Sequence, residues 1–352
     1  MRLAAIVCML CLGAAPAASQ TPAFDPQARV TEALELIKPV AYHRDRLDWA
    51  AIEARARALA EGARDEVDLM PAYQALVSYL EDNHSKVEYP AGMMERWRER
   101  YGSRRMLPDP PPSPPRSTSR FITRREPEVR TTPLASTAVG VIVVPSARYE
   151  PPPSTFGARL YAGVRGIEDQ VCGYVVDLRG NTGGALFPMV VGLSDLIGDD
   201  RRVVYVRPDG TEMAARLKDG AMHALMEDGS ETLLDRIDDW RPAPGADARP
   251  VAVLMDDATG SSGEGAALSL IGRKGVRTFG GRTAAVASAN QEIALSDGTI
   301  LLITTALMAD QLGRTYQDGI PPDEPISPST DENDAAQAAA EAWLATQGGC
   351  SL

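Results

Sequence analysis

Two glycine-rich segments, each placed directly after an apolar run, constrain the fold of this chain most. VVDLRGNTGG at 175–184 passes from an apolar run into a polar turn, and DDATGSSGEGAALSLIG at 256–272 follows the apolar run Val251–Met255. The second segment continues into an alanine-rich stretch typical of a helix. A helix N-terminus carries unpaired N–H donors and a positive dipole end. A serine at such a strand-to-helix turn, facing a glycine turn, has the parts that acyl transfer requires.

Apolar runs alternate with helix-like patterns across residues 136–352, which we take as one catalytic core. Strands are predicted at 139–145, 171–180, 201–206, 251–257, 275–281 and 299–310, and helices at 156–170, 185–198, from 261, and at 331–347. Residues 207–248 are polar and acidic and predict an insertion around a helix. This alternation favours the α/β class with a mainly parallel sheet.

The region before the core divides into two parts. Apolar residues recur at helical spacing in 26–83, so we expect an N-terminal helical bundle of roughly three helices over 24–89. Asp48 is a plausible cap for the second helix. Residues 90–135 are basic and proline-rich and form a linker or cap, in which 108–119 is an extended polyproline-like stretch. This segment fits either the lining of a substrate tunnel or a solvated linker.

Residues 1–20 have the pattern of a signal peptide. Arg2 precedes the apolar run 3–12, and small residues at 15–19 suit cleavage. The apolar run is shorter than the roughly 20 residues that cross a membrane, and no later segment is long enough. We therefore expect an exported protein, periplasmic or secreted, with no membrane span in the mature chain.

The net charge, the cysteines and the absence of known binding motifs restrict which partners and cofactors the sequence predicts. Loss of residues 1–20, which hold Arg2 and no acid, takes the net charge from −12 to −13, and an acidic chain is a poor nucleic-acid binder. Cys172 and Cys350 remain after cleavage and are either joined in a disulfide or free, Cys172 then being a buried thiol. Phosphate loops, dinucleotide fingerprints and metal-ligand spacings are absent from the sequence, so no cofactor and no metal are predicted.

Ser261 and Ser262 are the candidate nucleophiles, and either needs a base to take its proton. The chain has three histidines. His84 follows the end of a predicted helix near a domain boundary, His43 is expected on a helix surface, and His223 lies in the polar insertion. Position alone therefore ranks His84 first.

These motifs resemble those of the carboxy-terminal processing (tail-specific) serine peptidase family, whose core is similar to the ClpP/crotonase fold. The family's D-L-R-x-N-x-G-G turn is matched by residues 177–184, and its T-A-S-x-x-E motif by residues 259–264. The resemblance implies that Ser261 is the nucleophile. It also implies that the oxyanion donors are the N–H of Ser262 and that of Gly183 or Gly184.

The family has two catalytic variants. In one, a lysine serves as base about 25 residues after the serine, and here Val286 holds that position. The other, in tricorn-like and retinoid-binding-protein-like members, uses a histidine in a D-x-H-[ST] motif that residues 82–85 match. The resemblance to this branch implies that His84 is the base. The segment before Val139 is too short for a PDZ-like module, so the chain resembles the smaller, PDZ-less members.

The family's residue that orients the histidine has a less clear match in this sequence. By the resemblance it is an acid near the G-x-x-P-D segment, and Asp318 is our candidate. Glu264, in the first turn of the predicted helix, is interpreted as structural, and Asp177 and Arg179 as supports of the glycine turn.

The sequence therefore predicts an exported serine peptidase that cleaves peptide or protein substrates, by the resemblance near their C-termini. One alternative is a non-catalytic ligand-binding protein on the same scaffold. The absent lysine, the poorly matched acid and Gly260 in place of the family's alanine support it. The other is an esterase or lactonase that uses the same residues.

Overall fold

A computed structural model describes residues 24–111, 117, 119–243, 245–327 and 334–350. The predicted signal peptide and residues 112–116 and 118 of the proline-rich stretch lie outside these residues. The helices of the described residues are α1 (Pro26–Ile37), α2 (Trp49–Ala60), α3 (Glu66–Ser78), α4 (Met93–Tyr101), α5 (Thr155–Ile167), α6 (Leu186–Gly192), α7 (Ser194–Ile197), α8 (Ser262–Leu270) and α9 (Ala335–Ala345).

The strands of the described residues are β1 (Lys86–Glu88), β2 (Glu128–Leu134), β3 (Thr137–Val143), β4 (Gly173–Asp177), β5 (Arg201–Val206), β6 (Glu212–Lys218), β7 (Ala221–Leu225), β8 (Glu231–Arg236), β9 (Val251–Met255), β10 (Val276–Gly280), β11 (Ser288–Ala294), β12 (Ile300–Ala309) and β13 (Glu324–Pro325). Together with the helices they confirm the α/β class. None of the described helices has the length and apolarity to cross a membrane.

The first sheet has six strands in the order β13-β10-β9-β4-β3-β2 and carries the core. All neighbours are parallel except the β2–β3 pair. Apolar side chains of α5, α6 and α8 cover one face, and α9 covers the other through Ala336, Ala340 and Leu344. Strands buried on both faces read as continuous apolar runs, which is why the sequence revealed β3, β4 and β9.

Neighbouring parallel strands bring the two glycine-rich segments together. β4 pairs with β9, with Asp177 opposite Leu254, so both strands end at one edge of the sheet. The residues that follow them are the turn at 178–184 and the turn at 256–261. The expectation that these two segments face each other is therefore met by the strand order.

The second sheet, of seven strands, is antiparallel and was not predicted as such. The prediction of a helix within 207–248 is wrong, because β6, β7 and β8 form successive hairpins there. Asp219 and Gly220 join β6 to β7 with φ angles of 48° and 70°, which suit the two-residue turn that Asp-Gly favours. This turn signal outweighs the helix-compatible composition around it.

Helices α1, α2 and α3 pack against the second sheet. Their apolar side chains form one cluster with Ile293 and Leu295 near the end of β11 and with Leu301 and Ile303 of β12. The predicted cap Asp48 accepts a hydrogen bond from the Ala51 N–H at 3.0 Å. The chain leaving α3 consequently runs alongside β12, where Lys86 of β1 pairs with Leu302.

The end of the described chain is fastened to the core at two points. Cys172 and Cys350 form a disulfide, so the free-thiol alternative does not apply. Asp334, the N-cap of α9, accepts two hydrogen bonds of 2.7 Å from the guanidinium of Arg179. The same guanidinium donates to both oxygens of Asp177 at 2.8 Å. Helix α9 is thus tied directly to the segment that leads into the glycine turn.

Candidate active site

Ser261 lies at the start of α8 in a conformation that exposes it. Its backbone has φ 52° and ψ −119°, a positive φ that is uncommon for a residue with a side chain and that clusters at functional sites. From Ala258 to Leu270, Ser261 is the one residue that is not fully buried. The hydroxyl of Ser262 donates to the Gly184 carbonyl at 2.6 Å and so serves as a tether.

Glu264 holds the serine turn from inside the protein. Its fully buried carboxylate accepts hydrogen bonds from the Ser261 N–H at 2.9 Å, from the Val286 N–H at 3.0 Å and from the Thr283 hydroxyl. Burial raises the pKa of Glu264 to about 7, against the effect of these hydrogen bonds. The predicted structural role of Glu264 agrees with these contacts.

The glycine turn is bonded to the serine turn at several points. The Gly260 N–H donates to the Asn181 carbonyl at 2.9 Å, and the Thr259 hydroxyl to the Leu178 carbonyl at 2.9 Å. Gly183 has φ +108°, and a Cβ there would lie 2.8 Å from the Ser261 Cβ. Glycine is therefore required both by the backbone conformation and by the close approach to Ser261.

Two of the three predicted oxyanion donors are available. The Gly183 N–H is occupied, because it donates to the Asn181 Oδ1 at 2.9 Å. The N–H groups of Gly184 and Ser262 have no acceptor among the described residues. These two therefore remain as donors for a developing negative charge.

His84 projects from a short loop that Asp82 shapes. The Asp82 carboxylate accepts the N–H of His84 at 3.0 Å and both the N–H and the hydroxyl of Ser85 at 2.7 Å. The Ser85 hydroxyl in turn accepts the Thr304 N–H of β12 at 2.9 Å. The loop is thereby attached to the second sheet.

Ser288, at the start of β11, is the partner of the His84 ring. Its Oγ lies 2.7 Å from the His84 Nδ1, and its side chain is buried. Asp318, the predicted partner, makes no hydrogen bond to His84 among the described residues. Its carbonyl accepts from the side chain of Arg282, and it lines a smaller cavity of about 210 Å³ that Ser288 also borders. The chain after β12 turns back so that Thr315 pairs with Ala309, and Asp318 follows this turn outside the cavity that holds Ser261 and His84.

The electrostatic environment favours a neutral imidazole. Burial lowers the pKa of His84 below its ordinary 6.5, the nearby Asp82 raises it, and Lys86 lowers it further. A ring that is neutral at neutral pH has one nitrogen free to accept a proton. His84 therefore has the protonation state that a general base needs.

Ser261 and His84 line one cavity of about 530 Å³. Gly184, Ser262 and Ser288 line it too, whereas His43 and His223 do not. The structure thus gathers the predicted nucleophile, base and free donors, and leaves Asp318 outside. Ser288 was missed because no sequence motif marks it and only the pairing of β11 with β12 carries it to the ring.

Among the described residues no group of three or more His, Cys, Asp or Glu side chains is placed to hold a metal ion.

Comparison with known proteins gives a family and a fold. The model of the family described as Peptidase family S41 matches residues 138–326, more than half of the chain. The nisin-resistance protein of Lactococcus lactis subsp. lactis is 39% identical over 175 residues, which are 50% of this chain and 50% of that protein. The chain thus aligns with about half the length of this curated relative.

Two solved structures resemble the whole architecture. A lipoprotein from Streptococcus agalactiae superposes with a TM-score of 0.62 at 20% identity, covering 91% of this chain and 96% of that one. The photosystem II D1 C-terminal processing protease superposes with a TM-score of 0.54 at 16% identity, covering 89% and 98%. At these identities the two structures establish the likeness of the fold.

Proposed function

The chain belongs to peptidase family S41, and we propose that it is an exported serine peptidase that works by Ser–His acyl transfer. The family assignment supports the serine-peptidase class. The observation that carries the catalytic assignment is the cavity that Ser261, with its positive φ, and His84 both line. A peptide substrate is the expected partner, and the sequence predicts no cofactor.

In the proposed reaction the Ser261 hydroxyl attacks a peptide carbonyl while the His84 Nε2 takes its proton. For Nε2 to be the base, the neutral ring must carry its proton on Nδ1 and donate it to Ser288 Oγ, 2.7 Å away. Ser288 is therefore the proposed positioning residue, in the place expected for Asp318. With the Ser288 hydroxyl as acceptor, this contact holds the ring in place, which is the positioning role of the third member of a triad.

The tetrahedral intermediate places a negative charge on the former carbonyl oxygen. The free N–H groups of Ser262, at the start of α8, and Gly184 are the proposed donors to it. Collapse of the intermediate transfers the proton from His84 to the leaving amine. Water, activated by the same imidazole, then releases the acyl group from Ser261.

Export is the second part of the proposal. It rests on the signal-like pattern of residues 1–20 and is supported by the disulfide between Cys172 and Cys350, since disulfides persist in oxidising compartments. Expression of the full sequence in a bacterial host, followed by intact-mass analysis of the periplasmic and medium fractions, tests it. A protein that stays in the cytoplasm with residues 1–20 attached contradicts export.

The catalytic assignment is tested by labelling the protein with a fluorophosphonate probe and by mass-spectrometric mapping of peptide cleavage. Ser261→Ala should abolish labelling and cleavage, and His84→Ala should slow them by about 100-fold or more. His223→Ala, which changes a histidine outside the cavity, is the matched control and should react normally. Full activity in Ser261→Ala overturns the proposal, and a folded wild type that neither labels nor cleaves favours the ligand-binding alternative.

Ser288 has its own test. Ser288→Ala should slow labelling about tenfold, the equivalent of one hydrogen bond of about 1.4 kcal/mol, and should change the pH dependence of the rate. Ser288→Thr keeps the hydroxyl and should restore much of the rate. Equal rates and equal pH profiles in the wild type and Ser288→Ala would remove Ser288 from the mechanism.

A further inference from the structure

The cavity that holds Ser261 and His84 is also lined by a group of large apolar side chains. Helix α6 and strands β5, β8 and β12 contribute them. These side chains, which we call the apolar wall, are Leu186, Phe187, Tyr205, Leu234, Leu302 and Met308.

The apolar wall begins directly beside the nucleophile helix. Leu186 and Met308 are buried and pack against Gly265, one turn after Ser261. A Cβ on Gly265 would lie 2.9 Å from the Met308 Sδ and 3.0 Å from the Leu186 Cδ1. The absence of a side chain at Gly265 therefore lets these two residues approach the start of α8.

The remaining members of the wall keep part of their surface uncovered. Phe187, Tyr205, Leu234 and Leu302 are half-buried and border the cavity. Burial of such apolar surface by an apolar group that enters the cavity is favourable. The apolar wall therefore leaves apolar surface uncovered in the cavity, as the lining of an empty ligand pocket does.

Tyr205 adds one polar atom to the wall. Tyr205 is half-buried, and its hydroxyl has no hydrogen-bond partner in the part of the chain that the structure describes, so it is available to a molecule in the cavity. Burial raises the pKa of Tyr205 to about 12, so the hydroxyl stays protonated and can donate. A substrate that fills the wall can supply the missing acceptor.

The charged residues of the cavity are engaged elsewhere. Lys86 pairs with Glu88 at 3.1 Å, and the Glu150 carboxylate accepts the Thr155 N–H at 2.6 Å. Asp235 is buried and bonded to Ser154. A charged substrate side chain on the wall would lose its hydration among charged groups that already have partners, which is costly.

We propose that the apolar wall is the subsite for a bulky apolar side chain next to the scissile bond, so that the substrates are peptides carrying Leu, Met, Phe or Tyr at that position. This inference rests on the proposed peptidase function. It adds a selectivity that the catalytic residues alone do not impose.

The test begins with a cleavage profile of the wild-type protein on a mixture of defined peptides, read by mass spectrometry. In the peptides that are cleaved, one of the two residues that flank the scissile bond should be bulky and apolar. In matched quenched peptides, replacing that residue by Ala or Lys should lower kcat/KM by about 10- to 100-fold. Equal kcat/KM for the three peptides overturns the inference.

A pair of variants locates the selectivity on the wall. Leu234→Asp puts a carboxylate on the wall and should lower kcat/KM for the apolar peptide while raising it for the Lys peptide. Leu233→Asp makes the same change at the neighbouring residue, which does not line the cavity, and should leave the preference unchanged. If Leu234→Asp does not fold, Phe187→Ala replaces it and should reduce the preference for the apolar peptide.

The outcomes separate the two proposals. Cleavage that depends on Ser261 but keeps its preference in Leu234→Asp or Phe187→Ala overturns the inference alone. Cleavage that survives Ser261→Ala, or a folded wild type that cleaves no peptide, overturns the proposed function and this inference with it.

Discussion

The two halves of the cavity that Ser261 and His84 line differ in how far their polar residues are buried. The serine half comprises the turns at 178–184 and 256–264, and its polar residues Asn181, Thr259 and Glu264 are 0% exposed. The histidine half comprises the loop 82–85 with Ser288 and Thr304, and Asp82, His84 and Ser85 are half-buried. Water can replace lost hydrogen bonds in the second half far more easily than in the first.

This difference separates stability from activity. A buried donor or acceptor that loses its partner costs its full desolvation, whereas a half-exposed one recovers much of it from water. We therefore expect changes in the serine half to unfold the protein. Changes in the histidine half should leave the protein folded but lower its reaction rate. Four predictions can break or sharpen this contrast.

The largest expected effect is that of Glu264→Ala. It leaves the N–H groups of Ser261 and Val286 and the Thr283 hydroxyl without their acceptor, and should lower the free energy of unfolding by about 3 kcal/mol or more. Urea unfolding measures it. Glu264→Gln keeps the shape and one acceptor oxygen, so its loss should be clearly smaller. Equal losses in the two variants would contradict the hydrogen-bond explanation.

The matching change in the histidine half is Asp82→Ala. It removes the acceptor of three hydrogen bonds but in a half-exposed loop, so the free energy of unfolding should fall by only about 1 kcal/mol. The labelling rate of Ser261 should fall by about tenfold or more, because His84 loses its fixed position. A loss of stability as large as that of Glu264→Ala would erase the contrast.

The third prediction concerns the pH dependence of stability. The pKa of Glu264 rises from an ordinary 4.5 to about 7 on folding, so the folded state binds this proton more tightly. Its contribution is complete below pH 4.5 and is lost as the pH rises through about 7. At 1.36 kcal/mol per pKa unit this amounts to about 3 kcal/mol.

Urea unfolding at a series of pH values measures this contribution as the difference between wild type and Glu264→Gln. Over this range the variant should lose less stability than the wild type. Glu292→Gln, an exposed change on β11, is the control and should follow the wild type. Parallel curves for wild type and Glu264→Gln would show that Glu264 does not titrate in this range.

The smallest effect is expected from Lys86→Gln. Because Lys86 lowers the pKa of His84, its removal should raise that pKa and move the acid limb of the labelling rate to higher pH. Asp82→Asn removes a charge that raises the same pKa and should move the limb the other way. Rate–pH profiles of the two variants measure the shifts, and a shift of both in one direction would contradict the assignment of the limb to His84.

The same contrast decides how much the sequence could predict. The serine half is local: Ser261 and the glycine pair each follow an apolar strand, and parallel pairing of β4 with β9 makes them neighbours. His84 was reached by position and family resemblance. Ser288 lies 204 residues from His84 in the chain, and its contact depends on a strand pairing that no local pattern specifies.

The errors have similar physical causes. The antiparallel sheet was missed because β6, β7 and β8 are short and half-buried and lack long apolar runs. Asp219-Gly220 marked a hairpin and was read instead as part of a polar insertion. Asp318 was selected by its distance along the chain from a motif, although a carboxylate near a motif in sequence need not reach the same ring nitrogen in space.

The placement of α9 has a consequence for how the chain folds during synthesis. His84, Ser261 and the turns at 178–184 and 256–261 leave the ribosome before residues 334–350, yet among the described residues α9 is the helix that packs on one face of the six-stranded sheet. Until then Val175, Ala252 and Leu254 lack the cover of α9, and Arg179 lacks Asp334 as its second carboxylate partner. A nascent chain that already holds every proposed catalytic residue therefore still exposes an apolar sheet face, and such faces favour aggregation and chaperone binding.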